Sequence, residues 1–159
     1  MKKLSCYFSQ AITLLKHEER KEYLEIYNYI ERCLCQKYNV RVFSPIKEDS
    51  KISESEIYWR DLKELKRADF VIAEVSVVSW GVGQELTYAI MLSKPILALY
   101  NTASKYHLSG MVSGSGIRLR QYNTNTDEWK QQITHYITEF VTEARQYLYL
   151  RKRLCAKIP

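Results

Sequence analysis

A chain of 159 residues, 46% hydrophobic and 13% aromatic, is long enough to bury one substantial core and too short for two comfortable ones, so a single domain over residues 1–159 is expected. The net charge of +6 invites a nucleic-acid role, yet five of the 24 basic residues (Arg145, Arg151, Lys152, Arg153 and Lys157) follow Glu143, the last acidic residue, and without them the balance is 19 against 18. That basic patch is what the solvated C-terminal end of a helix favours, and nucleic acid is not an expected partner.

The first residues, MKKLSCYFSQAI, have a basic start, but Ser5, Ser9 and Gln10 interrupt the apolar stretch and no small-residue cleavage site follows, so an export signal is not expected. No run approaches the ~18 apolar residues of a membrane helix. Cys6, Cys33, Cys35 and Cys155 have no metal-ligand spacing, and no histidine cluster completes a site. Neither a metal nor a cofactor is expected, and the cysteines read as reduced thiols of a cytoplasmic protein.

Along the chain, short β-like runs alternate with helical periodicities. KLSCYF and NVRVF read as strands around a first helix in which Tyr23, Ile26, Tyr27, Ile30 and Leu34 recur at helical spacing. DFVIAEV and PILALY are near-continuous apolar runs, as expected of central parallel strands covered on both faces. IRLRQY reads as a fifth, edge strand, and the last helix carries Trp129, Ile133, Ile137, Phe140, Ala144 and Tyr147 on one stripe. Linker-like stretches run over 44–55 and 101–116. The expected fold is α/β, a doubly wound, flavodoxin- or Rossmann-like five-stranded parallel sheet flanked by helices. In such folds ligands bind beyond the carboxyl ends of the strands.

Two carboxylates interrupt apolar stripes at that end. Val82, Leu86 and Ala89 mark the inward face of the helix after the third strand, and Glu85, expected in its first turn, stands inside that stripe. Tyr58, Leu62 and Leu65 form the same pattern on the preceding helix, with Asp61 inside it. A carboxylate on a buried face is costly unless it is hydrogen-bonded or used, so both are candidate site residues. Gly81 and Gly83 are not a dinucleotide fingerprint, because Leu86 stands where its third glycine belongs and the pattern follows the third strand. They read instead as a tight turn allowing close approach of a ligand, with the Ser79 hydroxyl just before them. Trp80, inside that loop, is a candidate to stack on a base or to pack against a neighbour. His17, His107 and His135 have no acidic partner at a fixed spacing, and Trp59 and Trp129 read as packing residues.

Taken together, Tyr7-Phe8, the run from Asp61 to Asp69, Ala73-Glu74-Val75-Ser76, Ser79, Gly81-Val82-Gly83, Glu85-Leu86, Lys94-Pro95-Ile96-Leu97 and Leu108-Ser109-Gly110-Met111 resemble the nucleoside 2-deoxyribosyltransferase family. The likeness is greatest to its deoxynucleoside 5'-monophosphate N-glycosidase branch. The resemblance implies cleavage of an N-glycosidic bond through a covalent glycosyl-glutamate, with Glu85 as nucleophile and Tyr7 orienting it. It gives Asp61 either the sugar hydroxyl or the proton for the departing base. It makes Ser79 and Ser109 phosphate-binding hydroxyls, the second supplied by a neighbouring subunit, and so implies a homodimer or larger assembly around a small deoxynucleotide or deoxynucleoside.

The chain departs from the branch after Phe8, where a glycine, a serine and a nearby arginine are usual and Ser9-Gln10-Ala11-Ile12-Thr13 stands instead. Ser9 remains a substrate-binding candidate, and Lys16, Arg20, Lys105 or His107 are candidates to replace the lost charge. Trp80 and Gln84 also stand where the branch has Leu and Tyr. Hydrolysis, base exchange between deoxynucleosides and non-catalytic nucleotide binding are the three functions these residues allow.

Overall fold

Strand β1 (Ser5–Ser9) is the first described strand and lies inside the sheet, second from one edge. It pairs in parallel with β2 (Arg41–Phe43) on one side and β3 (Phe70–Glu74) on the other. Beyond β3 come β4 (Ile96–Asn101) and β5 (Arg118–Tyr122), also parallel, giving the order β2-β1-β3-β4-β5. These strands belong to a computed structural model that describes residues 3–11, 17–45 and 52–155.

The helices divide between the two faces according to which alternate strand residues they cover. Cys6, Phe8, Phe70, Ile72, Leu97 and Leu99 point to one face, where α1 (His17–Arg32) brings Tyr23, Ile26, Tyr27 and Ile30. A π-helical turn, Cys33–Lys37, continues α1 and buries Leu34. On the same face α5 (Trp129–Cys155) packs Ile133, Ile137, Phe140 and Ala144. Tyr7, Val71, Ala73 and Ala98 point to the other face and meet Leu65 of α2 (Glu54–Arg67) and Val82, Leu86 and Ala89 of α3 (Trp80–Met91). Burial on both faces explains the unbroken apolar runs of β3 and β4.

The five-stranded parallel α/β sheet is therefore as expected, with β5 at the edge. Two stripe residues differ. Tyr147, at the far end of the α5 stripe, is 46% exposed, because burial on that helix stops at Ala144. Tyr58 is 40% exposed, and its hydroxyl meets that of Tyr88 at 2.7 Å, so it bridges α2 and α3 at their outer edge and does not enter the core. The stretch 101–116 contains a short helix, α4 (Gly110–Ser113). Part of the 44–55 stretch lies outside the described residues.

Candidate active site

The strand order changes direction at β1 and β3, since the chain runs from β1 outward to β2 and then returns to β3 and outward to β5. The cleft at the carboxyl ends of these two strands is where ligands bind in open parallel sheets. Glu85 reaches it from α3. That helix starts at Trp80, with the Ser79 hydroxyl accepting from the Val82 amide at 3.4 Å, so Glu85 lies in the second turn and not the first. The helix dipole acts mainly within the first turn, and two side-chain hydroxyls hold the carboxylate instead.

Tyr7 Oη donates to Glu85 Oε1 at 2.8 Å, and Ser9 Oγ donates to Glu85 Oε2. Because β1 residues two apart share a face of the sheet, one strand presents both donors. Burial pushes the Glu85 carboxyl up to about 7, the Ser9 and Tyr7 hydrogen bonds oppose the rise, and the negative charge of Asp61 adds to it. The Tyr7 phenol is raised well above its ordinary range, first by burial and then by Glu85, so it remains a donor. Ser9, expected to bind substrate, has its hydroxyl on Glu85.

Asp61 is held by a residue that sequence pattern did not single out. Arg60 Nε and Nη2 lie 2.9 and 2.8 Å from Asp61 Oδ1, with the two side chains 23% and 15% exposed. The guanidinium also sits 5.6 Å from the ring centroid of Phe43, which in turn packs 5.6 Å from Tyr7. Adjacent helix residues do not ordinarily face each other, so no periodicity signals this pairing. Asp61 and Glu85 line one cavity of about 210 Å³ between α2 and α3, with Gly81, Gln84 and Tyr88.

A second cavity, about 530 Å³, adjoins it along Gln84 and Tyr88 and is lined by Ser79, Trp80, Gly83, His107, Ser109 and Met111. Ser79 and Ser109 thus share a cavity, the first as N-cap of α3 and the second as N-cap of α4, where its side chain makes no capping bond. Gly81 and Gly83 lie inside the first turn of α3 and form no tight turn. A β-carbon on Gly83 would meet nothing, and one on Gly81 only the Ser79 hydroxyl at 3.8 Å. What they leave is a bare helix start along the cavity wall. Trp80 is 86% exposed there. Of the candidate replacement cations, His107 lines this cavity. Lys105 lies over the ring of Tyr106, Arg20 belongs to α1 on the opposite face, and Lys16 lies outside the described residues.

Glu74, at the end of β3 on the α1/α5 face, is a second buried carboxylate. It accepts from the Ser76 amide and hydroxyl and from Tyr122 Oη at 3.0 Å, and burial pushes it up to about 7 against those bonds. The Ser76 hydroxyl in turn accepts from the Asn101 amide at 2.6 Å. This network pins the segment between β3 and α3, and so the position from which α3 sets out. Its signal in sequence was a glutamate closing an apolar run.

With this geometry in place, a comparison with known families decides the lineage. The model of the nucleoside 2-deoxyribosyltransferase family matches residues 17–131. The chain belongs to that family. The match contains Asp61, Ser79, Glu85 and Ser109, while Tyr7 and Ser9 precede it. A Methanosarcina mazei protein named as a 2'-deoxynucleoside 5'-phosphate N-hydrolase is 34% identical over 121 residues, covering 75% of this chain and 73% of its own. The mouse 5-hydroxymethyl-dUMP N-hydrolase is 35% identical over 101 residues, covering 62% of this chain. The chain spans 58% of the mouse relative's length. Among solved structures, BlsM superposes with a TM-score of 0.64 at 21% identity, over 89% of this chain and 93% of its own. The Clostridium botulinum CMP N-glycosidase BcmB gives 0.55 at 17% identity, over 84% and 98%. At those identities the structural likeness speaks for the deoxyribosyltransferase-type fold.

Proposed function

We propose that this protein cleaves the N-glycosidic bond of a 2'-deoxynucleoside 5'-monophosphate or 2'-deoxynucleoside, with Glu85 as the nucleophile. The observation that carries the reading is a carboxylate, at the sheet's crossover cleft, with each oxygen accepting a hydroxyl hydrogen from the same strand. In this mechanism the Glu85 carboxylate attacks the anomeric carbon as the bond to the base breaks, the bonding pair leaving with the base. An ion-paired carboxylate is a better acceptor than proton donor, so Asp61 takes the sugar hydroxyl and the base is protonated from solvent. Water then adds at the anomeric carbon, loses a proton to solvent, and frees Glu85. A free base in place of water would give base exchange by the same intermediate.

The larger cavity suits the 5'-phosphate, with Ser79 and Ser109 as hydroxyl donors and the start of α3 favouring negative charge. Its rim supports a homodimer. Trp80 and Met111 are 86% and 85% exposed beside Ser109, and large apolar side chains clustered at a cavity mouth are what a second copy would cover. Cys6, Cys33 and Cys35 are free thiols, which suits the cytoplasm. The test is incubation with a panel of deoxynucleosides and their monophosphates, with and without free adenine, and chromatography of the products. Base release that Glu85→Gln abolishes is expected, and exchange products appearing only with added adenine would identify the transferase form. Unchanged release by Glu85→Gln would remove the assignment.

A further inference from the structure

Residues 75–79, between β3 and α3, and residues 102–109, between β4 and α4, lie in no helix or strand. Backbone groups buried in such segments need partners outside any ladder, and here one segment supplies the other. Ser76, 1% exposed, accepts at its carbonyl from Ser104 Oγ at 3.0 Å, while its hydroxyl accepts from the Asn101 amide and donates to Glu74. Ser104 is itself held. Its oxygen accepts from Tyr23 Oη of α1 at 3.1 Å and from the Tyr106 amide at 3.2 Å, and Tyr100 Oη donates to the Tyr106 carbonyl at 2.9 Å. Two donors on that oxygen leave its one proton for Ser76.

Both segments wall the larger cavity, the first with Val77 and Ser79 and the second with His107 and Ser109. Ser76 and Ser104 do not line it, so the bond between them acts on the cavity only through the segments they belong to. Ser76 precedes Ser79 by three residues and Ser104 precedes Ser109 by five. We propose that Ser104 is a positioning residue for the phosphate subsite: its bond to the Ser76 carbonyl holds the segment bearing Ser79 against the segment bearing Ser109, and so fixes where the two hydroxyls stand. Their placement matters because a hydrogen bond weakens steeply outside its preferred geometry, and a shift of about 1 Å in a substrate contact can cost about a hundredfold. Through Tyr23 the same bond ties α1, on the sheet face opposite α3, to the cavity. This inference rests on the larger cavity being the phosphate's.

The test compares kcat/KM for the best deoxynucleoside 5'-monophosphate with that for the same deoxynucleoside. Ser104→Ala should lower the first by about tenfold, chiefly through KM, and the second by less than about twofold, a selectivity that general loosening of the fold would not give. Ser104→Thr, which keeps the hydroxyl, should retain the monophosphate rate. Added to a protein already carrying Ser79→Ala and Ser109→Ala, Ser104→Ala should cost less than about twofold more, since it acts through those hydroxyls. Equal losses on both substrates, a full further loss in that background, or no loss at all would overturn the assignment. Tyr23→Phe removes one hydroxyl from Ser104, should act in the same direction, and carries the comparison if Ser104→Ala does not fold. If Ser79→Ala and Ser109→Ala together leave the monophosphate preference intact, the phosphate reading fails and this inference falls with it. If they abolish the preference and Ser104→Ala does not reduce it, this inference alone falls. A protein that turns over neither substrate is tested by calorimetry with dCMP and deoxycytidine. Binding of dCMP weakened by Ser104→Ala supports the assignment, and absent or unaltered binding overturns it.

Discussion

Tyr7 Oη donates to Glu85 Oε1 at 2.8 Å across 78 positions of sequence, joining a fully buried phenol to a carboxylate that is partly buried and lines the cleft. Glu85→Gln should reduce kcat by about 10³ or more, as loss of an activated nucleophile does. Tyr7→Phe removes one hydrogen bond to a charged group, about 1.5–3 kcal/mol, and should cost about tenfold to a hundredfold. Steady-state rates on the best substrate check both. Equal losses would mean that Tyr7 does more than orient the carboxylate.

The same carboxyl must be ionised to attack. With burial holding it up at about 7, kcat/KM should rise with pH through about 7 and level off above. Ser9→Ala removes one of the bonds that stabilise the ionised form, so the limb should move to higher pH. A pH–rate profile that stays flat from 5 to about 9 would contradict a nucleophilic Glu85.

Asp61, gripped by Arg60, is assigned to the sugar and not to the base. Asp61→Asn should therefore slow a normal deoxynucleotide and one carrying an N7-methylated purine, which leaves without protonation, by the same factor of about ten to a hundred. A variant that is slow on the first and near normal on the second would make Asp61 the proton donor.

Glu74 makes a prediction about stability alone. Its folded value of about 7 lies above the ordinary 4.5, so the folded state binds the extra proton. Its contribution is fully present below about 4.5 and is lost as pH rises through about 7, to a total of about 3 kcal/mol. Glu74→Gln should consequently lose less stability than the unaltered protein between pH 5 and pH 8. Denaturant titrations at both pH values measure the difference, and parallel losses would place the pH dependence elsewhere.

The phosphate reading is tested by Ser79→Ala and Ser109→Ala. Each should lower kcat/KM for the monophosphate by about tenfold, one charge-assisted hydrogen bond, and leave the unphosphorylated deoxynucleoside nearly unchanged. A monophosphate preference untouched by both changes would mean that the phosphate is held elsewhere.

Which of these residues sequence could supply follows from the kind of signal each gives. β3 and β4 were legible because strands buried on both faces leave unbroken apolar runs, and α1 and α5 because helices packed on one face leave stripes. Glu85 and Asp61 were legible as polar interruptions of such stripes. Arg60 was not, because its pairing with Asp61 depends on how the long arginine side chain bends back to the carboxylate of its neighbour. Ser9 looked like a ligand contact because its direction is set only once α3 docks against β1. Gly81 and Gly83 looked like a turn because a serine before two glycines fits an N-cap and a loop equally well.

The interior place of β1, between β2 and β3, orders the events of synthesis. It is made before the other four strands of the sheet, and β2 can cover only one of its edges. The other edge stays unpaired until β3 emerges with Phe70, which opposes Cys6 in the finished sheet. Through that interval the chain carries an unpaired strand edge with Cys6, Tyr7 and Phe8 uncovered, the feature most prone to pair with another molecule. Aggregation of partly made chains, more than loss of the completed protein, is where substitutions that slow the β1–β3 closure should first be felt.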